Sequence, residues 1–380
     1  GVNFAFTEEQ LELREMARAF LAEFSGSEQV RAAMETPDGY DPKVWERLAG
    51  ELGWPAVAIP EEYGGLGLTY VELVALVEVM GEALLCSPFF ATVCLAANAI
   101  LETGDDEQKG ALLPGIAEGT TRAALAVTEP NARVDASGIE AIARRDDGGF
   151  VLSGTKHFVV DGHTADLILV AARLEGSAEE DGVSLFAIPA DTRGLERRGL
   201  PTMDATRRLA SIDLQDVRVD AVSLLGDEGR AWPGIARAHE LAAVALAAEQ
   251  VGGAQRCLDM AVEYSKEREQ YGRAIGSFQA LKHTMADMMV DVEAARSAVY
   301  YAACAAAERT DNLPAVAAMA KAVASDAYTR CSGDALQIFG GVGFTFEYDI
   351  HLYFKRARST ASLLGDAGYH RERVAQELGL

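Results

Sequence analysis

The sequence predicts a multidomain chain of α and β structure: an all-α domain over residues 1–121, an antiparallel β domain over 122–226 and a helical bundle over 227–380. Apolar residues recur at steps of three and four in the first third and again after Gly226, the spacing that lines one face of a helix. From about Arg122 to Leu225 the text breaks instead into short strand-like runs, ALAVTE, EAIARR, GFVLSGTKHFVV, ADLILVAARL, VSLFAIPA and SIDLQDVRV, divided by Gly, Asp and Thr. The length of 380 residues suits two or three domains at about 150 residues each, with enough chain for a sizeable core.

Each part has its own punctuation. Thr7 with Gln10 and Thr69 with Glu72 read as capping boxes, in which hydroxyl and N3 side chain satisfy each other's free backbone N–H. Between them, Trp54-Pro55 and the glycines of 62–67 interrupt the helices. The uncharged stretch 83–101 approaches membrane-spanning length, but Ser87, Pro88, Thr92 and Asn98 make it read as a buried core helix. In the middle part no long helix separates the runs, so an antiparallel sheet is expected, with Asp146-Asp147-Gly148-Gly149 as a hairpin turn. The last part predicts long helices from Ala236 to about Gln270, Ser277 to Glu308 and Pro314 to Phe339, packed antiparallel as a bundle.

Composition excludes several functions. With 34 Lys+Arg against 58 Asp+Glu the net charge is −24, which repels a phosphate backbone or an anionic membrane. Neither nucleic-acid binding nor membrane insertion is expected. Cys86, Cys94, Cys257, Cys304 and Cys331 lie scattered in apolar text without metal-ligand spacing, as buried thiols of a reducing compartment do. The N-terminus shows no basic patch followed by an apolar run, so no signal peptide and a cytoplasmic location are expected. GxGxxG, Walker, GxSxG and HExxH sequences are absent, which removes the usual signals of dinucleotide folds, triad hydrolases and zinc peptidases.

Two segments carry candidate chemistry. Arg268, Gln270, Tyr271, Gly272 and Gln279 form a basic and aromatic break between two long helices, where an arginine fork and a helix start could clamp a pyrophosphate. Gln337, Gly340, Gly341 and Gly343 stop a helix and bare its backbone. Taken singly, the first reads equally as a solvated loop and the second as a simple C-cap.

Together the two segments resemble the acyl-CoA dehydrogenase flavoproteins, and the resemblance extends along essentially the whole chain. Arg268, Tyr271 and Gly272, followed by Ile275, Phe278 and Gln279, are similar to that family's arginine-x-x-phenylalanine-glycine loop, and Gln337, Gly340 and Gly341 to its QxxGG stretch. The resemblance implies an N-terminal helical domain, a middle β-barrel-like domain and a C-terminal four-helix bundle. It implies FAD as cofactor, an acyl-CoA substrate, an electron-transfer flavoprotein as acceptor and an oligomer with FAD across a subunit interface. In that scheme Arg268, Gln270, Tyr271 and Gln279 contact a neighbouring subunit's FAD, and Gln337 with Gly341 holds its adenosine pyrophosphate. Thr128-Glu129-Pro130 resembles the TEP segment that reaches the flavin ring, and Phe158 stands where the family has a tryptophan near the isoalloxazine, with Val160 replacing a hydroxyl donor.

The chain departs from the family at its own pocket. Where members continue TEP with GAGSD, this chain has Asn131-Ala132-Arg133-Val134-Asp135, so a bulky charge enters the cradle. The reaction needs a carboxylate to take the α-proton, yet the two positions where members carry it fall on Leu364 and Ala242. Glu240 and Asp366, each two residues from an expected position, are the remaining acids and read more readily as solvated or capping residues; two residues along a helix turn Glu240 about 200° from position 242. Two functions fit: a homo-oligomeric dehydrogenase with a displaced base, or a base-lacking subunit that completes the FAD site of a paralogous chain. The second resembles the heterotetrameric acyl-CoA dehydrogenases of actinobacteria that act on steroid side chains.

Overall fold

The computed structural model describes residues 6–380. Its helices are α1 (Glu8–Phe24), α2 (Ser27–Glu35), α3 (Pro42–Gly50), α4 (Tyr70–Glu82), α5 (Asn98–Thr103), α6 (Asp106–Ala117), α7 (Trp232–Glu267), α8 (Gln279–Glu308), α9 (Leu313–Phe339), α10 (Ile350–Ser362) and α11 (Ala367–Glu377). Its strands are β1 (Ala123–Ala126), β2 (Ile142–Asp146), β3 (Gly149–Val160), β4 (Leu167–Leu174), β5 (Val183–Pro189), β6 (Leu195–Gly199), β7 (Leu209–Asp220), β8 (Leu224–Leu225), β9 (Glu269–Gln270) and β10 (Arg273–Ala274). Spatially they form two compact units. One holds the described residues through Ala32 together with Thr69–Leu85 and Ala243–Leu380, and the other holds Ala33–Leu68 and Cys86–Ala242.

In the helical unit, α9 lies against α8, α10 and α11, and α4 lies between α1 and α8. Thr7 and Thr69 close the capping boxes that start α1 and α4. Where α4 crosses α7 there is no room for side chains: a Cβ at Gly81 would collide with the Glu249 carbonyl, and one at Gly252 with that of Glu78. An ion network centred on the buried Glu78 ties α1, α4 and α8 together. Arg14 grips Glu78 at 2.9 and 3.2 Å, Arg296 Nε reaches the same carboxylate at 2.9 Å, and Arg18 grips Glu82 at 2.9 and 3.0 Å.

The β unit holds a sheet in the order β6-β7-β3-β2-β4-β5-β8, with β1 added beside β4. The expected antiparallel arrangement needs correction here, because β4 runs parallel to both β1 and β2. A parallel pair needs a crossover, not a helix. Here residues 127–141 and the β2–β3 hairpin make that crossover, so the missing helical text gave no sign of it. Continuous burial along Leu167–Arg173 is the mark of a strand covered on both faces. At the hairpin itself, Asp146 pairs with Gly149 and Gly148 takes the positive φ of 82° that the two-residue turn requires.

Residues 83–101 are buried, as the sequence suggests, but do not form one helix. After α4 the chain turns through Leu84 at φ 51° and restarts at Pro88, and Phe90–Ala97 is π-helical before α5 follows. No described helix is long and apolar enough to cross a membrane.

Candidate functional site

The break between α7 and α8 is a β-hairpin. Gln270 pairs with Arg273, Glu269 with Ala274, and the two connecting residues, Tyr271 and Gly272, have φ of 53° and 76°, both positive as a type I′ turn demands. This geometry projects Tyr271 outward at 94% exposure. Arg268 and Gln270 are exposed as well. Arg273 stacks over Phe278 at 4.1 Å, stiffening the approach to Gln279, the first residue of α8. No hydrogen bond holds the Arg268 guanidinium among the described residues, so its donors face outward.

The second segment ends α9. Gly340, at φ 65° and ψ −143°, donates its N–H to Gln337 O and Leu336 O, a conformation glycine alone adopts readily. A Cβ added at Gly340 or Gly341 would meet nothing within 4 Å, and Gln337 is exposed. The bared backbone therefore offers a flat open face. An aromatic cluster joins it to the hairpin: Tyr264, one turn before Arg268, stacks on Phe339 at 4.3 Å, and Tyr348 packs edge-on against Phe339 at 5.2 Å. The structure thus brings the two sequence-predicted segments to neighbouring helix ends. Exposed guanidinium and amide donors beside an unobstructed glycine backbone, at Arg268, Gln270, Gln279, Gln337, Gly340 and Gly341, suit the chemistry of an anionic dinucleotide.

The two positions expected from the sequence to carry the base are different in kind. Leu364 is half-buried at φ 62° and precedes Gly365 at φ 96°. Its carbonyl accepts from His370 Nε2 at 2.8 Å. Asp366 caps α11, receiving the Tyr369 N–H at 2.8 Å. Ala242 is fully buried. Glu240 is buried as well, not solvated, and stands 3.5 Å from Arg237 one turn earlier.

Burial pushes His370 down to about 4, with Lys321 acting in the same direction and the Leu364 carbonyl opposing. The folded value lies below the ordinary 6.5, so the unfolded chain takes up the proton first as pH falls. Stability should then drop by about 3 kcal/mol between roughly pH 6.5 and 4. Urea unfolding at the two pH values should show His370→Gln losing less than the parent by about that amount, and equal losses would contradict the assignment.

In the β unit, Thr128 and Phe158 come together through a feature the sequence reading passed over. His157 N–H donates to Thr128 O at 2.8 Å, and between Lys156 and Val159 the β3–β7 register slips. The slip puts Phe158 at φ 55° with 42% exposure, while Val160 stays buried opposite Leu209. Beneath them Lys156, fully buried, pairs with Glu129 at 2.9 Å and donates to Val127 O at 3.2 Å. Burial draws Lys156 down to about 8 against the pull of Glu129. The Glu129 carboxylate in turn accepts backbone N–H groups of Glu140 and Ala141. The signal was available: Lys156 shares the inward parity of Phe150 and Leu152 on β3, where a charge needs a buried partner. Arg133, expected to crowd the cradle, has a side chain 58% exposed, 3.7 Å from Asp135.

Comparison with known proteins covers nearly the whole chain. Sequence profiles of the acyl-CoA dehydrogenase N-terminal, middle and C-terminal domains match residues 7–120, 124–219 and 212–379. The acyl-CoA dehydrogenase IpdE2 of Mycolicibacterium smegmatis is 37% identical over 98% of this chain and 99% of its own. Butyryl-CoA dehydrogenase of Megasphaera elsdenii superposes with a TM-score of 0.93 at 31% identity over 100% of both chains. A chain of the ChsE4-ChsE5 complex of Mycobacterium tuberculosis gives 0.90 at 27% identity, over 100% of this chain and 99% of that one.

Proposed function

The chain belongs to the acyl-CoA dehydrogenase family of FAD-dependent oxidoreductases, and from that premise we propose that it is a base-lacking subunit whose Arg268 hairpin and Gln337 segment complete the FAD site of a paralogous, base-bearing chain. The observation that carries this is the pair Leu364 and Ala242. FAD, when bound, accepts the hydride that leaves the β-carbon of the acyl thioester, while the protein must remove the α-proton. Leucine and alanine cannot take a proton, and the carboxylates within two residues of either position are Glu240, which is turned toward Arg237, and Asp366, which caps α11. The segments that would be lent to a neighbour are intact and exposed. A complex of two named chains, ChsE4 and ChsE5, exists among the structural relatives, which supports a mixed oligomer here. The reading extends to a steroid side-chain or other acyl-CoA thioester as substrate and an electron-transfer flavoprotein as acceptor.

A homo-oligomeric enzyme is the second reading, and the burial of Glu240 favours it, since a buried acid is better shielded for proton transfer than a solvated one. Glu240→Gln, assayed both in the protein purified alone and in the mixed complex, separates the two. On the subunit reading kcat stays within about twofold of the parent; on the homomeric reading turnover falls by about 10² or more with flavin still bound.

A further inference from the structure

Lys321 lies on α9 with its side chain fully buried. Its Nζ sits beneath the C-terminal end of α10, 3.0 Å from Thr360 O and 3.2 Å from Gly365 O, with Ala361 O farther off at 3.5 Å. These are carbonyls that a helix end and the turn after it leave without helical partners, at the negative end of the helix dipole. The turn they belong to is strained, because Leu364 at φ 62° is a branched residue in the left-handed region, followed by Gly365 at φ 96°. His370 holds the other side through Leu364 O.

A third contact makes the arrangement unusual. Nζ is 3.0 Å from Ser325 Oγ, and Ser325 is itself within 3.0 Å of Gln250 Nε2 and 3.3 Å of Gln250 Oε1. A charged lysine has three N–H donors, matching Ser325 Oγ and the two nearer carbonyls, while the serine hydroxyl points to Gln250 Oε1. A neutral lysine keeps two donors for the carbonyls and takes the serine O–H on its lone pair. One hydroxyl rotation therefore satisfies both forms. The groups facing the amine are Gln250 from α7, Ser325 from α9, the α10 carbonyls, and Asp366 and His370 from the turn and α11. Burial brings Lys321 to about 7, with Asp366 opposing, so both forms are populated near neutrality.

We propose that Lys321 is a positioning residue: through Thr360 O and Gly365 O it fixes the turn that carries residue 364, and Ser325 gives the amine a hydrogen-bond partner whether or not it carries its third proton. The inference deepens the reading above, since residue 364 is where the base is missing, but the clamp is tested without turnover or flavin.

Amide exchange at residues 362–366, read by mass spectrometry on the protein as purified and corrected for intrinsic rates, should be faster at pH 6 than at pH 9, because opening the turn frees a lysine that holds its proton more tightly in water than when buried. Lys321→Met should speed it about tenfold or more while the 269–274 hairpin is unchanged. Ser325→Ala, a milder change that keeps the lysine, should widen that pH difference severalfold, because the ammonium then has only the longer Ala361 O contact as its third acceptor. An unchanged turn in Lys321→Met, an equal rise across the whole bundle, or a pH difference in Ser325→Ala no wider than the parent's overturns the proposal.

Discussion

Arg268→Ala is expected to strip flavin from the assembled complex. The guanidinium is exposed on its own chain, at a hairpin whose turn and stacked Phe278 do not depend on it, so the substitution should leave folding intact. What it removes is a charged donor to an anionic ligand, about 1.5–3 kcal/mol, or roughly 10- to 100-fold in affinity. Gel filtration of the complex should lose the flavin absorbance while the thermal midpoint of the protein without flavin stays put. Retention of flavin at the parent level would show that this hairpin does not face the cofactor.

Glu78→Gln should cost more, in stability. Glu78 is 2% exposed between Arg14, also buried at 7%, and Arg296 at 22%. The amide keeps the shape but withdraws the charge that the two guanidinium groups share, and Glu82, 3.8 Å from Arg14, and Glu293, paired with Arg296, offset only part of that. Breaking a buried pair from one side destabilises by about 3–5 kcal/mol. A urea midpoint that falls accordingly at an unchanged slope is the expected result, and a loss under about 1 kcal/mol would mean the network is solvated.

The local rules were legible where one short stretch decides the outcome. Thr7, Thr69 and Gly148 announce a cap or a turn by residue type, and the glycines after Gln337 announce a bared helix end. The hairpin at Tyr271-Gly272 was missed because tyrosine is a poor signal for a positive φ, and the two-residue strands beside it are too short to alternate. Parallel pairing of β4 was missed because register is a relation between distant segments. The same holds for the buried charges: Lys156 and Glu129 are 27 residues apart, and Lys321 lies in alanine-rich text that gives no face away. The reading of Leu364 and Ala242 as base positions rests on family resemblance alone, because neither a leucine nor an alanine signals by itself that a carboxylate is missing.

The most direct test of the subunit reading is the absorbance of the protein purified alone, between about 350 and 500 nm, with its native mass measured in parallel. The reading predicts a colourless protein that acquires flavin bands only when a paralogous, base-bearing chain is co-expressed. Flavin near one per chain in the protein alone, bleached anaerobically by an acyl-CoA, would contradict it.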